Sequence, residues 1–289
     1  MNNKIVFYVR ALFHESIMPG NEITNKPDVL KLTQAFKKYS NISVEDYRKE
    51  LHNIQLKSLS AISNRIIYNK PTSPEQKTFS VLQKNTINQL NELNDDDWII
   101  PIDDDDWFSP DIKNLKFKEG CLNCWNTAQF SHKQRITIFE HIKNKELPFS
   151  NLTPEEVQLS RGLLSNCQCI PAYVIKHLIN INAINTLQQL LQRHSLIRGL
   201  IREEPLSQLN IKENLFDNIM SVYVRHAANI TLFTGLCNFN EEQKYTKELY
   251  NKTIAPFKLA DYDNIKNFPE YLNWTKPLLE DLKKLNQFL

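Results

Sequence analysis

Four consecutive aspartates, Asp103 to Asp106, are the densest reactive chemistry in the chain. They follow an apolar run, Trp98-Ile99-Ile100-Pro101-Ile102, and precede Trp107-Phe108-Ser109-Pro110. Carboxylates crowded together repel one another. A divalent cation, or a polyphosphate held through one, relieves that repulsion. In an extended chain successive side chains alternate between faces, which predicts Asp103 and Asp105 on one face and Asp104 and Asp106 on the other. Paired carboxylates make a hard-oxygen site suited to Mg²⁺ or Mn²⁺, completed by water and ligand phosphates. The plain alternative is a solvated acidic loop. Such a loop requires neither the apolar run before it nor the aromatic residues after it.

Cys121-x-x-Cys124 and Cys167-x-Cys169 offer a second constellation. They are spaced as two halves of a four-thiolate zinc site, or they are small buried core residues. Cys237 is left over. Only 5 of 289 residues are glycine, and neither G-x-G-x-x-G nor G-x-x-x-x-G-K-[ST] occurs. Phosphate binding therefore falls to a metal, to basic side chains or to a helix N-terminus.

The formal net charge is +2 and no long basic block is present, so composition carries no footprint of a nucleic-acid partner. With 15 Phe, 10 Tyr and 4 Trp the chain has the material for a packed core. Its start, Met1 to Arg10, is basic and then apolar, too short a run for a signal peptide. No apolar stretch reaches the length of a membrane span. These features predict a cytoplasmic protein, with peripheral membrane contact still open.

The elements that must position the aspartates follow from the pattern. Residues 4 to 12 read as a strand covered on both faces. A loop spans His14 to Lys26, and a helix spans Asp28 to Tyr39. Ser43-x-x-Asp46 marks an N-cap and first-turn acid for a helix running toward Leu59. Arg65 to Tyr68 is a second strand. Ser73-Pro74-Glu75-Gln76 starts a helix that ends near Asn94. The run ending at Ile102 is then the third strand. Strand, helix, strand, helix, strand predicts a parallel α/β domain, with ligands beyond the C-terminal strand edges. Further on, Leu115 to Thr127 reads as a strand or strand pair. Gln129 to Leu147 is polar and read as helical, and Leu152-Thr153-Pro154-Glu155-Glu156 as another helix start. Ile170 to Leu178 leads into a helix, Asn185 to Ile201 is helical, and Ile219 to Val224 is a short strand. Residues 241 to 289 form a lysine-rich tail whose Leu278, Leu279, Leu282 and Leu285 make an amphipathic face packed on the body.

Ile102 to Ile112 resembles the D-x-D-D-x-x-x-P stretch of nucleotide-sugar glycosyltransferases of the GT-A fold, especially the family-2-like group. A distant stretch, Ser221-Val222-Tyr223-Val224-Arg225-His226-Ala227-Ala228-Asn229-Ile230-Thr231, resembles the Y-R-x-H-x-x-N-x-S region near the end of such domains. The resemblance implies a GT-A type fold over residues 1–235: a mostly parallel central sheet flanked by helices, with a donor half to about 112 and an acceptor half from 113. A helical C-terminal extension, 236–289, would follow. It implies Asp103, Asp105 and His226 as metal ligands for Mn²⁺ or Mg²⁺. It places Asp106, Arg225, Lys84, Asn88, Arg10 and Trp107 beside a nucleotide-sugar donor, most simply a UDP-sugar. On the acceptor side Trp107 and Trp125 are the residues suited to stack on sugar rings; the alternative for both is packing in the core. Asn166, Gln168 and Tyr173 would line the acceptor site.

The implied activity is metal-dependent transfer of a sugar to a hydroxyl of a glycan, lipid-linked or polypeptide acceptor. An inverting enzyme needs a base with a pKa near the working pH. The family's acidic pair ahead of the terminal motif is replaced by Arg193-His194-Ser195. His194 suits by intrinsic pKa, whereas Glu203 or Glu204 would need raising by burial. A retaining mechanism dispenses with such a base. Two other readings use the same carboxylates. One is another two-carboxylate metal enzyme such as a nucleotidyltransferase; the other is an inactive relative that binds a nucleotide sugar or glycan.

Overall fold

The computed structural model describes residues 4–10, 27–69, 82–131, 133, 135–140, 151–153, 156–159, 167–192, 197–229 and 247–289. Three parallel strands form the centre: β1 (Ile5–Arg10), β2 (Ile66–Asn69) and β3 (Trp98–Asp103), in the order β2-β1-β3. All six residues of β1 are buried, as expected of a strand covered on both faces. The register sets Ile5 beside Trp98 and Arg10 beside Asp103. The basic end of β1 therefore meets the first aspartate without further folding instructions.

Beyond β3 the sheet changes sense. β8 (Gln168–Pro171) runs antiparallel to β3 and to β5 (Cys121–Ser131). β5 is long enough to pair with β8 and then β6 (Arg135–Glu140) along one edge, and with β9 (Lys212–Val224) in parallel along the other. β7 (Val157–Leu159) extends β6, and β4 (Trp107–Phe108) joins the C-terminal part of β9. The result is a curled, mixed sheet rather than a mostly parallel one. Parallel pairing joins β2, β1 and β3, and again β5 with β9 and β6 with β7; the other pairs are antiparallel.

Helices cover it: α1 (Pro27–Tyr39), α2 (Val44–Ser60), α3 (Lys84–Asn91), α4 (Ala172–Asn180), α5 (Ile184–Gln192), α6 (Ile197–Leu200), α7 (Lys247–Thr253), α8 (Ala255–Lys258) and α9 (Lys276–Asn286). α2 begins as the sequence predicts. Ser43 is extended, its hydroxyl accepts the Asp46 N–H at 3.0 Å, and Glu45 and Asp46 oppose the helix dipole. Two apolar clusters share the interior. One gathers β1, β3, β8 and α4 around Phe7, Ile100 and Trp125. The other joins Phe36, Tyr47, Leu51, Trp107 and Phe130 to Leu278, Leu279, Leu282 and Leu285 of α9. α2 contributes to both, and α9 packs on it. Tyr47 donates a buried 2.6 Å hydrogen bond to Asn286.

Several expectations about individual elements differ from the structure. Residues 129–131 and 135–140 are strand, not helix: Ile136 and Ile138 alternate inward along β6. The last strand begins at Lys212, seven residues before its apolar segment. The expected loop over 14–26, the helix start at Ser73 and residues 141–150 lie outside the described residues, whereas the helix expected to start at Leu152 to Glu156 gives way to strand β7 at Val157. Among the described residues no helix is long and apolar enough to cross a membrane.

Candidate metal centre

β3 ends at Asp103, and the chain turns through Asp104 and Asp105 before β4 starts at Trp107. The turn abolishes the alternation expected of an extended run. Asp103, Asp105 and Asp106 converge instead, each offering a carboxylate oxygen within 4.8 Å of the others. Asp104 points away to the Arg48 guanidinium at 2.9 Å, both side chains being buried. The Asp103 N–H donates to Asp106 Oδ2 at 3.0 Å and closes the turn.

Each aspartate has its own holder. Arg10 reaches Asp103 Oδ1 at 2.7 Å, as the β1–β3 register requires. β4 pairs with β9 through Trp107 and Val222, which brings the segment after β9 against the turn. There His226, wholly buried, lies 2.7 Å from Asp105 Oδ2 through Nε2. Its Nδ1 accepts the Ala228 N–H at 3.2 Å, so the proton sits on Nε2 and is donated to Asp105. Arg48 ties this segment down as well, donating to the Ala228 carbonyl at 3.0 Å. Asp105 Oδ1 remains buried and without a hydrogen-bond partner.

The electrostatics show where negative charge is in excess. Burial and the neighbouring Asp103 and Asp105 charges push the Asp106 carboxyl well above the usual carboxylate range. Burial also opposes ionisation of Asp105, but the His226 hydrogen bond, with Arg48 and Arg10 nearby, outweighs it and holds that carboxyl below its ordinary value. An anionic oxygen in this position, buried and unpartnered, is costly unless something positive meets it. Three hard oxygens fit Mg²⁺ or Mn²⁺ by donor chemistry.

α2 supplies a support that sequence reading passed over. Arg48, His52, Gln55 and Ser58 lie on its buried face among Tyr47, Leu51 and Leu59. Gln55 donates to the carbonyls of Asp103 at 2.5 Å and Asp106 at 2.8 Å. His52 bridges Gln55 at 2.9 Å and the Tyr68 hydroxyl at 3.0 Å. Burial lowers the His52 pKa, although Asp104 and the Gln55 hydrogen bond oppose the shift. The signal was available: polar residues at a spacing of four and three occupy the face that carries the apolar ones.

Arg225 follows β9 and lies half-buried with its guanidinium 5.0 Å from the Tyr223 ring centre. Asn229 donates to the Tyr223 hydroxyl at 2.5 Å. Burial and then the Asp105 charge push Tyr223 far up, placing this aromatic beside the acidic turn. Among the described residues no carboxylate lies within salt-bridge range of Arg225.

The remaining candidates are scattered. Lys84 and Asn88 are exposed on one side of α3. Glu203 and Glu204 are exposed ahead of β9, where the Ser207 hydroxyl donates to Glu204 at 3.0 Å. Trp107 and Trp125 are 1% and 0% exposed, so both fill the core and present no open face. Gln168 is buried in β8 with neither amide atom partnered. Tyr173, with Trp98 and Phe117, lines a cavity of about 560 Å³ at the N-terminal ends of β1 and β3, the edge opposite the acidic turn. His194, Asn166, Thr231 and Cys237 lie outside the described residues. Cys121, Cys124, Cys167 and Cys169 are all buried, and burial beside Cys124 pushes the Cys169 thiol well up. Among the described residues, Asp103, Asp105 and Asp106 are the one group of three or more His, Cys, Asp or Glu placed to hold an ion, and the four buried cysteines form no such group.

Fold and site together define a mixed α/β chain with a buried three-aspartate cluster able to hold a metal ion. Comparison with known proteins finds no matching family model, no matching curated protein and no matching solved structure.

Proposed function

We propose that this chain is a divalent-metal-dependent enzyme acting on a phosphorylated substrate, and within that class a glycosyltransferase using a nucleotide-diphosphate sugar. The observation that carries the metal reading is Asp105 Oδ1, buried without a partner in a cluster with Asp103 and Asp106. Mg²⁺ and Mn²⁺ bind through one or two carboxylates plus substrate phosphates. A bound ion would stabilise charge gathering on a leaving diphosphate. The chain's own part is positioning. His226 and Arg10 orient Asp105 and Asp103, and Arg225, with no carboxylate partner among the described residues, is available to a phosphate oxygen.

The sugar-transfer reading is supported by the family-like sequence around both segments and by the position of the acidic motif at the end of a central strand. UDP-sugar is the proposed donor, a glycan, lipid-linked or polypeptide hydroxyl the acceptor, and inversion the favoured course. His194, Glu203 and Glu204 are the base candidates. A second reading, a nucleotidyltransferase or other carboxylate-metal enzyme, is favoured by the third carboxylate, Asp106, in the cluster. The products separate them. Full-length protein incubated with Mn²⁺, UDP-sugars and simple acceptors should release UDP, and Asp105→Ala should abolish the release. Pyrophosphate formed from nucleoside triphosphate and sugar phosphate would establish nucleotidyl transfer instead. Mn²⁺-dependent UDP binding without turnover would identify an inactive relative.

A further inference from the structure

We propose that Gln55, held in one amide orientation by His52 and Tyr68, sets the divalent-cation affinity of the Asp103–Asp106 turn. The inference rests on the reading of that turn as a metal site. Gln55 is fully buried, and its Nε2 donates to the carbonyls of Asp103 and Asp106 at 2.5 and 2.8 Å. These are the first and last residues of the acidic run. One amide group therefore staples the two ends of the turn and fixes how far apart the Asp103 and Asp106 side chains start.

The staple works in only one orientation. Flipped, the amide would set its own oxygen against two carbonyl oxygens, acceptor against acceptor. His52 supports the same orientation. Its Nδ1 lies 2.9 Å from Gln55 Oε1, and because the Gln55 NH₂ is already engaged, Nδ1 must donate. In a neutral imidazole Nε2 is then the acceptor, and the Tyr68 hydroxyl, 3.0 Å away, donates to it. Donation runs one way, from Tyr68 to His52 to Gln55 to the turn. Tyr68 stands on β2, separated from β3 by β1. None of the three is a ligand; all are positioning residues. Partners of this kind typically change metal affinity by about 10- to 100-fold when removed.

The test is Mn²⁺ titration of the full chain, read by loss of the free-ion electron paramagnetic resonance signal, with the thermal midpoint in EDTA recorded separately. Gln55→Leu should weaken Mn²⁺ binding about 10- to 100-fold. Tyr68→Phe removes only a hydroxyl and leaves the turn untouched; it should weaken binding about three- to tenfold. Added to Gln55→Leu, it should weaken binding no further, because its effect passes through Gln55. A merely structural role would lower the EDTA midpoint and leave Mn²⁺ affinity alone. If Gln55→Leu does not fold, Tyr68→Phe decides. Wild-type binding with both variants within twofold of it would overturn the inference. A wild type that takes up no Mn²⁺ would instead overturn the metal reading, and this inference with it.

Discussion

The two ends of β3 carry the same residue type and treat it in opposite ways. Asp95, Asp96 and Asp97 precede the strand, and each meets its own cation. Lys176 reaches Asp95 at 2.6 Å, Lys4 pairs with Asp96, and the Arg65 fork grips Asp97 at 2.5 and 2.7 Å. Asp97 is 2% exposed, whereas the side chains of Asp95 and Asp96 are 73% and 60% exposed. At the other end Arg10 and Arg48 hold Asp103 and Asp104 from the side, a neutral imidazole holds Asp105, and three carboxylates face one another. A run of acids is therefore not a metal site in itself. Convergence makes a group able to hold an ion: Asp103, Asp105 and Asp106 turn toward one another, with Arg10 beside Asp103 and His226 beside Asp105.

The comparison breaks most sharply on metal affinity. Asp105→Ala should weaken Mn²⁺ binding on the order of 100-fold or more, since it removes the buried oxygen that has no other partner. Asp95→Ala, at the far end of the same strand, should leave the affinity within twofold. Isothermal titration of both variants reads the difference directly. If Asp95→Ala weakens binding as much as Asp105→Ala, the two ends are not distinct. Saturating Mn²⁺ at about 100 times Kd should also stabilise the wild type by about 2.7 kcal/mol and leave Asp105→Ala unmoved in a thermal melt.

Much of this contrast is legible in the sequence, and the remainder has a physical reason for being hidden. β1, α2, β2 and β3 announce themselves through continuous apolar runs and the Ser43 cap. The acidic run at the end of β3 was therefore visible as a cluster. The pairing of Asp103 with Asp105 was legible as well; the rest of the set was not, because a turn cancels the alternation that an extended strand would impose. Asp106 joined the cluster and Asp104 left it for Arg48. That partner could not be read from periodicity either. Arg48, His52 and Gln55 are polar, and a search for apolar spacing along α2 steps over them. β6 was hidden differently: Ile136 and Ile138 alternate as a strand should, but charged neighbours gave residues 129–147 a helical cast.

Stability in the metal-free protein should separate the ends with opposite signs. Asp97→Ala removes a buried carboxylate bound by the Arg65 fork and by the Asn94 N–H at 2.9 Å. It should destabilise by about 2 kcal/mol, measured by urea denaturation in EDTA. Asp106→Asn removes a carboxyl that burial and two neighbouring charges disfavour, and should raise the urea midpoint in EDTA at pH 7. Its dependence on pH follows from the direction of the shift. A carboxyl raised in the folded state favours folding below its unfolded pKa, and that contribution is lost as pH rises through the folded value. The gain from Asp106→Asn should therefore be largest at neutral pH and vanish near pH 4. A gain that grew on acidification would contradict the assignment.

The smallest expected effect is the most discriminating about pairing itself. Asp96 and Lys4 lie close enough to shift each other, Asp96 downward and Lys4 upward, through their hydrogen bond. Both side chains are about half exposed or more, at 60% and 49%. Exposed pairs gain little from Coulomb attraction once water, salt and side-chain entropy act on them. Asp96→Asn should therefore leave the urea midpoint of the metal-free protein unchanged, at low salt and at high salt alike. Arg48→Met, by contrast, breaks a 2.9 Å ion pair whose two side chains are 4% and 2% exposed and removes the donor to the Ala228 carbonyl, so it should lower that midpoint clearly. Contact distance is similar in kind at both ends of the strand. If the two substitutions proved equivalent, burial would not be what separates an ornamental ion pair from one that shapes the acidic turn.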